Sequence, residues 1–297
     1  MGRRGLQPAA MVCWAVLALL GLTTLAQAQE NPLTGFTRAW RDDPIWHDGQ
    51  AECALYDATR TIYGRLRTYQ ARIYTNQEHA SPQTFTKSAD NRGRHAFKHH
   101  LRLDIPTENY RYHYSLMVYV GVDDLKSLKL DLGSQEDCGA TFKQYINHAG
   151  TMRWHQFSYF PDQGHQEGQS EPPAGFAFHD ALSLVLRGYP FDQPRPVELM
   201  VLPSQVSNQW TSPQAVPARI TYEGQQVLDL PIGQVEAHHL RVVEQTPEGE
   251  SVHDYWFAVK GAADPAGPGL HILVQYEGPE GSSLRLRHVN RRAYWER

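Results

Sequence analysis

Cysteine is almost absent: the chain of 297 residues has three, at positions 13, 53 and 138. It contains no paired Cys/His spacing and no HExxH segment, the patterns that usually write a zinc site into sequence. A GxSxG nucleophile elbow, a P-loop and a dinucleotide fingerprint are also missing, which removes the readiest signatures of ester hydrolysis, ATP use and nicotinamide chemistry. Basic charge is in deficit, 28 Lys and Arg against 32 Asp and Glu, for a formal net charge of −4. A mildly acidic globule is a poor polyanion binder, so no nucleic-acid partner is expected. The arginines of the tail (Arg285, Arg287, Arg291, Arg292, Arg297) alternate with Leu284, Leu286 and Val289 and read as the wet face of a last strand. Apolar runs are short as well. The longest, Met11 to Leu22, falls below the roughly 20 residues of a comfortable membrane span.

That short run has a different use. Arg3 and Arg4 precede it and Ala26-Gln27-Ala28 follows, the small-x-small site of signal peptidase. Residues 1–28 therefore read as a secretory signal peptide, with the mature chain starting at Gln29 and no stable membrane span after cleavage. Loss of two arginines takes the formal charge to −6. The expected location is periplasmic or extracellular, and the oligomeric state is left open. Two thiols remain, Cys53 and Cys138: either one disulfide, adding roughly 3–5 kcal/mol in the chain-entropy model, or two separate thiols, or a catalytic thiol, for which no local signature supplies a partner histidine.

Strand patterning fills most of the rest. Tyr110 to Val122 alternates so that Tyr110, Tyr112, Tyr114, Leu116, Val118 and Val120 share one face. Thr61 to Thr75 reads as one long strand, and Gly-bearing turns at Glu223-Gly224, Pro247-Glu248-Gly249 and Gly278-Pro279-Glu280-Gly281 separate later ones. The best helix candidate is Phe178 to Gly188, with Asp180 as its cap and Gly188 and Pro190 as its stop. The expected fold is mainly β, a large curved antiparallel sheet (half-barrel, β-clamp or sandwich) with one short helix. Residues 29–45 form an arm, with Phe36, Trp40, Ile45 and the adjoining Trp46 as anchors. Residues 46–297 form a single β-rich domain, with a long polar loop at 161–177.

Candidate chemistry is sparse. Fifteen histidines include the clusters His95, His99, His100 and His238, His239, but adjacent strand residues point to opposite faces and cannot chelate as a pair. The dipeptides His47-Asp48, His179-Asp180 and His253-Asp254 lack the helical setting of a metal-dependent phosphohydrolase and read as chance. Paired acids at Asp123-Asp124 and Glu136-Asp137 read as solvated turns. No catalytic residue, metal or cofactor is expected. Large rings carry the remaining hint. Tyr110, Tyr112, Tyr114 and Trp154 form an apolar wall that either packs in the core or binds a lipid or an extended peptide, with Arg65, Arg67 and Lys98 as polar anchors. On the binding reading, Tyr112→Ala weakens ligand binding more than stability.

Trp46-His47-Asp48-Gly49-Gln50-Ala51-Glu52, followed by Tyr56 and Tyr63-Gly64-Arg65-Leu66-Arg67, resembles a group of secreted bacterial proteins of unknown function. These often carry the name "septum formation inhibitor Maf". Phe97-Lys98, Tyr110-Arg111-Tyr112, Gln135-Glu136-Asp137-Cys138-Gly139 and Ser158-Tyr159-Phe160 fit the same pattern over roughly residues 43–160. The name brings no reaction with it, because the phosphate-binding segment and alternating βα pattern of true Maf pyrophosphatases are missing. In the second half, Asp180-Ala181-Leu182-Ser183, Leu230-Pro231-Ile232-Gly233 and Arg292-Ala293-Tyr294-Trp295 more loosely resemble periplasmic proteins of the LolA/LolB carrier type. That resemblance implies a curved sheet wrapped around a short helix, with a concave face for acyl chains or an extended partner. The reading is thus a non-catalytic binding or carrier module. The alternatives are a hydrolase assembled from scattered His and acidic residues, and a structural envelope protein.

Overall fold

The computed structural model describes Gly2, residues 31–259 and residues 270–296; apart from Gly2, the expected signal peptide lies outside the described residues. One 15-stranded sheet dominates. The first eight strands form an antiparallel meander: β1 (Ala51–Ile62), β2 (Arg65–Ala80), β3 (Arg94–Pro106), β4 (Arg111–Gly121), β5 (Ser127–Glu136), β6 (Gly139–His148), β7 (Thr151–Ser158) and β8 (Gly164–Ser170). The chain then crosses over through β9 (Ala177–Phe178) and a short helical segment around α1 (Leu182–Val185). A second meander follows: β10 (Val197–Leu202), β11 (Val216–Leu230), β12 (Gly233–Thr246), β13 (Gly249–Ala258), β14 (Leu273–Glu277) and β15 (Ser283–Arg292). β15 pairs with β1, so the first and last strands meet in the middle of the sheet, and among the described residues the short β9–β10 pair is its one parallel contact.

The expected fold class holds, and the alternation on β4 explains why. Tyr112, Tyr114, Leu116, Val118 and Val120 are all buried on one face, where each removes roughly 1.5–3 kcal/mol worth of apolar surface from water. The sheet curls, so that the crossover lies against strands of the first meander. Phe178 donates its N–H to Ser127 Oγ at 3.1 Å, and the connection from β10 to β11 also reaches that meander, where Lys143 Nζ donates to Gln205 O and Gln209 O at 3.2 and 2.7 Å. Inside the curl, Leu182, Leu184, Val185 and Leu186 are wholly buried. The same segment carries Arg187, which meets Glu52 of β1 in a bidentate pair at 2.6 and 3.0 Å, both side chains 1% exposed. Residues 31–50 lie across this region with Phe36, Trp40 and Trp46 buried and Ile45 half-buried; Trp40 stacks on Phe97.

Three local expectations are corrected, and the alternatives left open for the two cysteines resolve to separate thiols. The stretch 61–75 is a hairpin, turned by Tyr63 and Gly64, both at positive φ (52° and 69°). The polar stretch 161–177 contains the edge strand β8, paired along β7. Asp180 caps no helix; its carboxylate accepts from Ser204 Oγ and Gln205 N at 2.7 and 2.8 Å. Cys53 and Cys138 are free thiols, one buried on β1 and the other exposed at the β5–β6 turn. Four strand spacings separate them, roughly 19 Å at about 4.8 Å each, whereas a disulfide needs Cα atoms within about 7 Å.

Candidate functional site

A cavity of about 380 Å³ lies inside the curl, between strands of both meanders and the crossover. Its apolar wall includes Tyr69, Ile73, Leu101 and Leu103 from β2 and β3, with Leu273 and Leu284 from β14 and β15. Tyr69, Ile73, Leu101, Leu103 and Leu284 project inward because each shares the parity of buried neighbours on its strand, as Leu101 and Leu103 do with Phe97, while Leu273 sits at the bulge opposite Phe257 of β13. The wall is interrupted by ionisable groups that share that parity. Glu244 continues the inward series Leu240, Val242, and His253 begins the inward series that runs on through Tyr255 and Phe257.

These groups converge with His179, which enters just after β9. His179 Nδ1 lies 2.6 Å from Glu244 Oε1, and His253 Nε2 lies 3.9 Å from Glu244 Oε2. The two imidazoles meet edge-on, centroids 4.4 Å apart. His253 is further held by Tyr276 OH at Nδ1 and Ser251 Oγ at Nε2, each at 2.9 Å. Relative exposures of 8, 2 and 6% for His179, Glu244 and His253 place the cluster out of bulk water.

Burial and pairing set the charges. Burial opposes ionisation of both His179 and Glu244, but each outweighs that penalty for the other, holding the imidazole above its ordinary range and the carboxyl below it. His253, desolvated and beside His179, falls to about 3 and is neutral. Burial pushes the Asp180 carboxyl up and takes Tyr69 to about 12. A second polar pair faces the same cavity. His99 Nε2 is 2.9 Å from Ser183 Oγ and its Nδ1 is 2.8 Å from Thr75 Oγ1; burial and the Arg187 charge lower the imidazole to about 3.

The residues that sequence alone nominated fall elsewhere. Arg65 and Arg67 both pair with Glu108, at 2.7 and 2.6 Å, and Tyr110 and Tyr112 meet Tyr63 through their hydroxyls, so these groups gather at one end of β2 and β4. Tyr112 and Tyr114 are buried in the core, Tyr114 beneath the Arg60 guanidinium at 5.6 Å. Trp154 is half-buried above Gly168 of β8, and half-buried Lys98 pairs across strands with Asn76 and Tyr119. None of the seven lines the cavity. Conversely, the dipeptides set aside as chance supply His179 and His253. The sequence signal that could have found Glu244 is an acid at an inward position of an otherwise apolar alternation.

No family model matches the chain, and no curated protein is similar to it. Among solved structures, a Bacteroides fragilis protein described as exported, with a YmcC-like fold, is 9% identical, with 81% of this chain and 94% of that chain covered and a TM-score of 0.26. A superposition that loose carries no argument about this chain. Among the described residues, no helix is long and apolar enough to cross a membrane.

Proposed function

We propose that the protein is an exported binding module that takes a small amphipathic molecule into the cavity, apolar body against Tyr69, Leu101 and Leu103 and polar head at His179, Glu244 and His253. The observation that carries this reading is the lining itself: an apolar wall facing buried polar groups, chiefly His179, Glu244 and His253 with His99 and Ser183 beside them, in a volume of about 380 Å³ that falls within the roughly 300–1,000 Å³ of small-molecule sites. A single-chain lipid or small apolar acid fits that description better than an extended peptide. Peptides add to open strand edges, and β2, β3, β12, β13 and β14 are each paired on both sides. Export rests on the signal-like residues 1–28.

A second reading has its own observation. Ser183 Oγ, His99 and Thr75 form a nucleophile, base and orienting group in series, although the burial that keeps the imidazole neutral also weakens it as a base. That arrangement suits acyl transfer on an ester entering the same cavity.

Native mass spectrometry of mature protein, with organic extraction of what co-purifies, tests the first reading. A recurrent small amphipath, lost in Leu101→Trp where the indole fills the wall, supports it. A clean apo mass that takes up no fatty acid sinks it. A covalent fluorophosphonate adduct on Ser183 that His99→Gln abolishes would move the second reading ahead.

A further inference from the structure

Three ligand-type side chains meet at the cavity wall from three separate elements: His179 from the crossover, Glu244 from β12 and His253 from β13. One nitrogen or oxygen of each lies within 4.8 Å of those of the other two. Both oxygens of Glu244 face an imidazole nitrogen, His179 Nδ1 at 2.6 Å and His253 Nε2 at 3.9 Å. Ligand atoms around a tetrahedral ion, each about 2.0–2.1 Å from it, stand about 3.3 Å apart, so shifts of about an ångström suffice to seat one.

We infer that His179, Glu244 and His253 bind one divalent transition-metal ion, Zn²⁺ by preference, with its open coordination position facing the cavity. Donor chemistry supports the choice. Two imidazoles, of which His179 gives up its Nδ1 proton to solvent as the ion replaces it beside Glu244, and one carboxylate suit zinc and its first-row neighbours, whereas magnesium and calcium favour sites made wholly of oxygen. The surroundings have the features of a supporting layer. Tyr276 OH, 2.9 Å from His253 Nδ1, fixes the ring; when Nδ1–H donates to this hydroxyl, the Nε2 lone pair points at Ser251 and Glu244, the side on which the ion would sit. Asp180 is tied up by Ser204 and Gln205, so it is not a ligand. With three protein ligands the position left over opens to the cavity, as in zinc sites that keep a water or an exchangeable ligand.

The ion would give the cavity a grip on an anionic or carbonyl head group, and in that respect the inference deepens the binding reading. It does not depend on it, because metal affinity and amphipath uptake are measured apart. A stack of three other histidines is the competing site: His79 and His95 rings lie 4.9 Å apart and His47 of the arm beside them at 6.1 Å, at the far end of the sheet face that carries Phe97.

The test uses the mature full chain, stripped with a chelator and titrated with Co²⁺ and with Zn²⁺ against a chromophoric competitor. One equivalent is expected, with the visible absorption of four- or five-coordinate cobalt. Glu244→Gln, which preserves side-chain shape, should weaken binding at least tenfold, and His253→Gln should do the same. Tyr276→Phe should cost about tenfold, in line with loss of a supporting hydrogen bond to a ligand. The double change His79→Gln/His95→Gln should leave the stoichiometry unchanged. If His253→Gln fails to fold, Glu244→Gln with intact near-ultraviolet dichroism decides alone. No stoichiometric binding, or binding that survives Glu244→Gln and is lost with His79 and His95, overturns the inference. Metal binding without uptake of any amphipath retains the ion and removes the ligand reading; uptake with no metal does the reverse.

Discussion

Tyr112 shows how a side chain's value depends on which space it borders. It stacks on Tyr114 at 6.1 Å, touches Tyr63 through its hydroxyl, and is 5% exposed, yet it does not reach the cavity. Truncation to alanine should therefore cost about 3 kcal/mol of stability through the void it leaves and leave amphipath uptake by the folded fraction unchanged. Urea denaturation beside a binding isotherm measures both; reduced affinity at full folding would return Tyr112 to the binding site. The order is the reverse of what its place on an aromatic stripe implies. Alternation told which face of β4 turns inward, but a core and a ligand wall use the same apolar residues, so pattern alone could not separate them. The polar cluster was hidden for another reason. His179 and Glu244 are 65 positions apart, and only the curl of the sheet and the entry of the crossover bring them together.

At the scale of elements, legibility followed the strength of the hydrophobic signal. β4 and most of the later strands could be read from alternation and turn glycines. The β1–β2 hairpin was read through, because Tyr63 and Ile62 look like strand residues while the turn depends on positive φ at Tyr63 and Gly64. β8 was invisible, since the sequence Gly-His-Gln-Glu-Gly-Gln-Ser has no apolar face and is held by backbone pairing to β7. The helical segment was found, but its anchor was not. Arg187 reaches from the end of that segment to Glu52 on β1, and neither charge has access to water. Replacing Arg187 by Met leaves a buried carboxylate unpaired, which should cost about 3–5 kcal/mol. The double change Glu52→Gln/Arg187→Met should recover most of that loss, because the pair's attraction mainly offsets its own desolvation. A double-mutant cycle by chemical denaturation reads this directly; strictly additive losses would show that the two charges do not act as a pair.

For the whole molecule, the decisive pairing is that of β1 with β15, which places the chain's first and last strands side by side and makes two meanders into one sheet. One hydrophobic cluster runs through both, from Leu33 to Val289. Neutral histidines are distributed over the same two parts: buried His99 and half-buried His100 on β3, lowered to about 3 and about 4, and buried His238 on β12, lowered to about 4, in each case chiefly by desolvation. A histidine whose folded pKa lies below its unfolded value of about 6.5 binds its proton more readily in the unfolded chain. Stability from these groups is thus complete above about pH 6.5 and is lost as pH falls toward 4. Because the two meanders share β1–β15 and one core, acid should open them together. We expect the melting temperature to fall steadily between pH 7 and pH 4.5, with hydrogen exchange in β3–β4 and β12–β13 losing protection at the same pH. Loss of protection in one meander while the other stays closed would mean that the β1–β15 seam joins two independently stable bodies, and the cavity between them would then be a cleft that opens without unfolding either.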